Sequence, residues 1–214
     1  MNRLARAAIL LLAATTSFAA DGRATGGATP QVIDQVRGIA EKQYPSLEAF
    51  YMTLHREPEL SLSEEKTSRR LAEQLRSAGF EVTEHVGGFG VVGVLRNGPG
   101  KTLLIRTDLD ALPVKEQTGA VYHSTVQVTG PSGQPVDVMH ACGHDVHVTC
   151  LSGVARAMAE MKENWKGTLV LIGQPAEEVG KGAAAMLKDG LFTRFPRPTG
   201  ASPCTSTPKS RQDK

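Results

Sequence analysis

The chain has 214 residues, enough for one ordinary domain or one domain with part of a second. Its formal net charge of +2, with both signs spread along the length, excludes a dedicated nucleic-acid surface, which clusters Lys and Arg. The apolar share of 40% suffices for a core and excludes global disorder.

Residues 1–19 read as a signal peptide, with an uncleaved interfacial helix as the alternative. Arg3 and Arg6 precede an apolar run from Ala7 to Leu12, and Ser17-Phe18-Ala19 is small at the two positions a signal peptidase reads. The run is too short and too rich in Ala and Thr for a membrane span, so no stable span is expected after cleavage. The mature protein is expected to be exported, to the periplasm or beyond. Residues 20–30 form a flexible lead-in. The three cysteines are an odd count for an exported chain, which argues against a disulfide framework and leaves at least one thiol for another task.

From Gln31 to about Leu54 the residues Val32, Val36, Ile39, Leu47, Phe50 and Leu54 recur at helical spacing, with a break expected near Pro45. A second helix is predicted over 63–78, with Ser61 and Glu64 as a capping box, Leu71 and Leu75 on its buried stripe and Gly79 at its end. Strands follow at 80–85, 91–96 and 102–107, then a polar, Gly/Pro-rich excursion at 115–137. A helix over 147–161, a strand over 168–173 and a short helix over 182–188 complete an α/β alternation, giving a partial domain at 31–198. Residues 199–214, TGASPCTSTPKSRQDK, contain no large apolar side chain and read as a disordered tail.

Three polar clusters stand just past predicted strands or in loops, where α/β sheets hold their ligands: RTDLDALP (106–113), HACGHDVH (140–147) and QPAEE (174–178). Cys142 and His144, with Gly143 between them, can turn toward one divalent ion, and Asp145 or His147 can fix the ligating ring; a buried cysteine beside surface histidines fits the same residues. Glu177 and Glu178, leaving a strand in extended geometry, are expected to point to opposite sides, one carboxylate toward a metal and one toward substrate as a base. An acidic helix N-terminus fits that pair equally well. Asp108 and Asp110 either support the site or bond to turn amides. Gly88-Phe89-Gly90-Val91-Val92-Gly93 matches a dinucleotide fingerprint, but the β-rich residues that follow leave no room for its helix.

Together the strings LHREPELSLSEEKT (54–67), RTDLDALPVKEQTG (106–119), MHACGHDVHVTCLSGVA (139–155) and LIGQPAEEVGKGAAAML (171–187) resemble the aminoacylase and carboxypeptidase metallopeptidase clan. The resemblance is to its N-acyl-amino-acid amidohydrolase branch, which includes hippurate hydrolases, and it runs over about 44–198. It implies the N-terminal part of a three-layer α/β/α two-metal hydrolase domain, with the inserted lid domain and the C-terminal catalytic segment absent. It further implies an N-acyl amino acid as small-molecule substrate and two divalent ions, zinc or manganese, per complete site. Cys142, His144 and Glu178 correspond to metal ligands, Glu177 to the general base and Asp108 to the acid behind a metal-binding residue. The family pattern would continue past Pro198 with further ligand histidines, whereas no histidine follows His147. The abrupt change there reads as a frameshift or premature stop, and the chain is expected to be a weakly active or inactive fragment. A half-domain that binds a metal or a partner without catalysis is the alternative.

Overall fold

A computed structural model describes residues 28–130 and 133–203. The expected signal peptide and most of the lead-in lie outside the described residues. Helix α1 spans Pro30–Arg56 and α2 Glu65–Ser77. Strands β1 (Glu81–Val86), β2 (Gly90–Asn97) and β3 (Thr102–Asp108) follow, then a small hairpin of β4 (Gln127–Thr129) and β5 (Pro135–Asp137). Next come α3 (His144–Glu160), β6 (Gly167–Gln174), α4 (Gly182–Lys188), α5 (Leu191–Arg194) and β7 (Gly200–Pro203).

The five long-range strands form one mixed sheet in the order β1-β2-β6-β3-β7. β2 pairs antiparallel with β1 and β6, whereas β3 pairs parallel with β6 and β7. Leu54 of α1, Leu71 and Leu75 of α2 and Val148, Leu151 and Ala155 of α3 pack on one face with Val91, Leu95, Leu169 and Leu171. Val92, Val94, Leu104, Val170 and Ile172 point to the other face, covered by Met186 of α4 and Leu191 of α5. Alternate strand residues thus feed two cores, as the period of two requires, and the architecture is α/β/α with an unequal pair of helical layers. Among the described residues no helix is long and apolar enough to cross a membrane.

Four expectations are corrected. α1 does not break at Pro45: a proline removes one i→i−4 bond, and the stripe Ile39, Leu47 and Leu54 stays buried on both sides of it. α3 begins three residues earlier than its apolar stripe predicts, at His144, because Gly143 takes a left-handed turn (φ 76°) that starts it. Ser61 and Glu64 form no capping box. α2 has no side-chain N-cap bond, since the Ser61 hydroxyl donates to Asp110 (2.6 Å) and the Glu64 carboxylate turns to other amides. Finally, Gly200–Pro203, within the segment expected to be disordered, is a strand beside Leu103–Arg106 of β3. Strand pairing uses backbone groups, so the outer edge of β3 can be satisfied by a segment without large apolar side chains.

The glycine-rich stretch 88–93 is, as expected, no phosphate loop. Gly87 and Gly88 turn between β1 and β2, and Gly90 and Gly93 lie in β2.

Candidate metal centre

The parallel pairing of β3 with β6 sets Asp108 beside Gln174, and Leu109 N–H extends the ladder to Gln174 O (3.0 Å). The segments leaving both strands therefore emerge together at the carboxyl end of the sheet, and α3 opens against them. This is where open α/β sheets place their ligands. His144 in the first turn of α3 lies with its Nε2 3.9 Å from Glu177 Oε2 and 3.9 Å from Glu178 Oε1. Among the described residues these three are the one group of His, Cys, Asp or Glu whose donor atoms converge, all within 4.8 Å of one another.

The acid pair does not splay to opposite sides as extended geometry would require. Ala176 is left-handed (φ 50°), so the strand's alternation ends before the glutamates, and a turn closed by Gly180 N–H on Glu177 O (2.8 Å) presents both carboxylates to His144. They still differ in setting. Glu178's side chain is 16% exposed and its buried Oε1 has no hydrogen-bond partner among the described residues, whereas Glu177's is 40% exposed.

Asp110 organises the cluster. His144 Nδ1–H donates to the Asp110 backbone oxygen (2.8 Å), with the side-chain Oδ1 at 3.5 Å. That turns Nε2 to the side facing the glutamates, where it can serve as a ligand once its proton is given up. Asp110 Oδ2 accepts from Ser61 Oγ (2.6 Å) and from Glu178 N–H (2.9 Å). Burial works to raise the Asp110 carboxyl, but the hydrogen bonds from His144, Ser61 and Glu178 outweigh it and bring it down to about 2. Burial likewise works to lower His144, yet its bonds to Asp110 and the charge of Asp108 push it up to about 9. Asp108 accepts from Arg106 Nη2 (3.1 Å), while Arg106 Nη1 donates to Gln174 (2.6 Å). Burial raises Asp108 to about 6 against the pull of Arg106.

Cys142 is exposed and stands outside the converging trio. The neighbouring Glu178 carboxylate, with help from burial, pushes its thiol up to about 11. Loop and cluster are nonetheless contiguous, because only Gly143 separates Cys142 from His144.

A second network, unforeseen from the sequence, anchors the start of α3. His55 of α1 is buried between two carboxylates, with Nδ1 2.6 Å from Asp145 Oδ2 and Nε2 3.0 Å from Glu116 Oε1. Carboxylates only accept, so the ring donates from both nitrogens as an imidazolium. The Asp145 bond, opposed by burial and reinforced by Glu116, raises His55 to about 9. The rings of Tyr51 and Tyr122 pack around it, with centroids 5.5 and 5.3 Å away. Two signals were available in the sequence: His55 lies in one of the family-like strings, and Asp145 adjoins His144.

The donor set suits a divalent ion. Donors each about 2.1 Å from a common ion stand at most about 4.2 Å apart, so separations of 3.9 Å are compatible with shared coordination. Glu178 Oε1 is buried and without a hydrogen-bond partner among the described residues, and the nearest cationic group, the His144 ring, stands 3.9 Å away, too far to bond to it directly. An imidazole and two carboxylates at the carboxyl rim of a parallel strand pair, on this scaffold, mark the chain as metallopeptidase-like. Residues 104–209 match the family model described as peptidase family M20/M25/M40. The chain is 43% identical over 143 residues to a Campylobacter jejuni hippurate hydrolase, covering 66% of this chain and 34% of that protein. It is 45% identical over 143 residues to thermostable carboxypeptidase 2 of Saccharolobus solfataricus, covering 65% and 34%. The crystal structure of Bacillus subtilis YXEP, described as a dinuclear metal-binding peptidase of the M20 family, aligns with TM-score 0.63 and 32% identity over 71% of this chain and 40% of that one. The chain is thus a homologue of the M20/M25/M40 peptidases, with an α/β fold resembling the N-terminal catalytic portion of that family. It spans about a third of the length of the curated relatives it matches.

Proposed function

We propose that this site serves metal-dependent hydrolysis of the amide bond in N-acyl amino acids. The convergence of His144, Glu177 and Glu178 carries the reading. His144 and Glu178 would hold a divalent ion, zinc or manganese, and Cys142 would contribute a further ligand once its thiol proton is lost. A complete site would take two ions. When bound, the metal supplies Lewis acidity and a lowered pKa for water. Glu177, the more exposed of the pair, is the group free to take a proton from that water and return it to the leaving amine. Asp110 keeps His144 in the tautomer that offers Nε2 and holds the Glu178 backbone. The names of the relatives, a hippurate hydrolase and a carboxypeptidase, support a substrate with an acylated amine next to a carboxylate.

The test combines metal analysis with turnover of hippurate and of N-acetyl amino acids by chain loaded with zinc or manganese. Bound metal with turnover that falls at least 100-fold in Glu177→Gln, while metal content is kept, is the expected result for a general base. A chain that binds no divalent ion after dialysis sinks the reading. A metal-binding module without turnover is the second reading, favoured because the described residues bring together three donors where zinc ordinarily takes about four ligands. Stoichiometric metal with no hydrolysis would select it.

A further inference from the structure

Ala176 stands at the base of the turn that carries both glutamates, and its conformation decides where they point. It is fully buried and left-handed, with φ 50°. Such a conformation is unfavourable for an L-residue, whose Cβ crowds the following carbonyl oxygen, and it persists only where the surroundings over-determine it. Both peptide planes flanking Ala176 are tied. On the far side its carbonyl accepts from Lys181 N–H (3.0 Å) and Gly182 N–H (3.2 Å). On the near side its own N–H donates to Glu64 Oε1 at 2.7 Å. With both planes fixed, φ and ψ between them are fixed, and the chain must leave toward His144.

Glu64 is an unusual group for this task. Its side chain is completely buried, and the same Oε1 accepts from Leu62 N–H at 3.0 Å. Leu62 is also left-handed, with φ 69°. One carboxylate oxygen therefore holds the amides of two of the three non-glycine residues with positive φ among those described. The same short segment grips the acid turn a second time, through Ser61 Oγ on Asp110 Oδ2, the oxygen that also takes Glu178 N–H. Close packing leaves the turn little alternative: a Cβ on Gly182 would stand 1.5 Å from the Pro175 oxygen.

We propose that Glu64 is a positioning residue for the metal centre, its buried carboxyl locking Ala176 in the left-handed conformation that aims Glu177 and Glu178 at His144. Its use in metal binding rests on the reading of that trio as a metal site; the lock itself does not. Ser61 and Glu64, spaced like a capping box, brace a distant turn instead of a helix end.

The test uses the full chain with Glu64→Leu, which removes the acceptor, and Glu64→Gln, which keeps one oxygen for the two amides. Amide hydrogen exchange over 174–182 reports the lock in metal-free protein. Cobalt(II) titration, followed by the visible absorption of the bound ion, reports the ligand geometry. In folded Glu64→Leu, exchange at Ala176 should rise and cobalt affinity fall, each by roughly 10- to 100-fold, with an altered spectrum, while Glu64→Gln stays within about threefold of the parent. Unchanged exchange and an unchanged spectrum in Glu64→Leu overturn the proposal, as does a Glu64→Gln as impaired as Glu64→Leu. Should the leucine variant not fold, Glu64→Asp, whose oxygens are withdrawn by one methylene, carries the same readouts. If the parent binds no cobalt, the metal-site reading fails separately, and the exchange arm alone decides the lock.

Discussion

The wall of the site that presents His144 is anchored by charge, whereas the wall that presents Glu177 and Glu178 is anchored by backbone amides. On the first, the His55 imidazolium joins Asp145 of α3 to Glu116 of the long loop, all three drawn out of water. On the second, Asp110 and Glu64 each take a main-chain N–H of the acid turn. A buried ion pair adds little over an apolar core of equal shape but is damaging to break, because the surviving charges stay buried. An amide bond to a carboxylate is a smaller, more local hold that fixes direction. The two walls should therefore fail at different doses of perturbation and at different pH.

Removal of His55 should give the largest effect. His55→Leu leaves Asp145 and Glu116 facing each other without a cation, at a cost of about 3–5 kcal/mol in urea denaturation. The pH profile sharpens the point. His55 is raised in the folded protein from 6.5 to about 9, so its contribution is complete below pH 6.5 and is lost as pH rises through 9. Wild-type stability should decline over that window, and the decline should shrink in His55→Leu, with His144, also raised to about 9, accounting for what remains. A wild-type stability that is flat from pH 6.5 to 9 would contradict the assignment of charge to this wall.

Asp110→Ala comes next. It strips the acceptor from Ser61 and from Glu178 N–H, for a loss of about 2–3 kcal/mol, and it should weaken metal binding by roughly 10- to 100-fold. Calorimetric metal titration beside urea denaturation would separate the two; stability lost with affinity intact would show that Asp110 only packs. Ser61→Ala should be mildest, about 1 kcal/mol, because Asp110 keeps its bonds to Glu178 and His144. A Ser61→Ala effect as large as that of Asp110→Ala would mean that the brace runs mainly through the hydroxyl.

Much of this was legible in the sequence. The apolar stripe of α2, the runs of β2, β3 and β6 and the short helix 182–188 follow from periodicity, and the three residues whose donor atoms converge, His144, Glu177 and Glu178, are among the candidates that residue type and order single out. What escaped depends on distant partners. Asp108 and Asp110 are indistinguishable by pattern, and only the tertiary packing of the segment after β3 against α3 and the acid turn shows that Asp110 is the one bonded to His144 and Glu178. Ser61-x-x-Glu64 reads locally as a cap because the competing acceptor and donor, Asp110 and Ala176, lie far along the chain. The opposite splay expected of the glutamates assumed a strand that Ala176 has already ended. β7 has no side-chain signature at all, since its pairing is made by backbone alone.

The order of the sheet bears on how the chain assembles. β2 and β3 are neighbours in sequence but are held apart, and the strand that fills the gap, β6, comes some sixty residues after β3. A chain emerging from the ribosome can build α1, α2 and the β1–β2 hairpin early, yet β3 has no inner partner until Gln174 has emerged. Long-range pairing of this kind is slow and leaves strand edges open while it waits. For that interval His144 would stand without the two carboxylates that converge on it in the finished fold. Arrival of β6 fills the centre of the sheet and delivers the two glutamates in one event, so the trio with His144 comes together only when the sheet does.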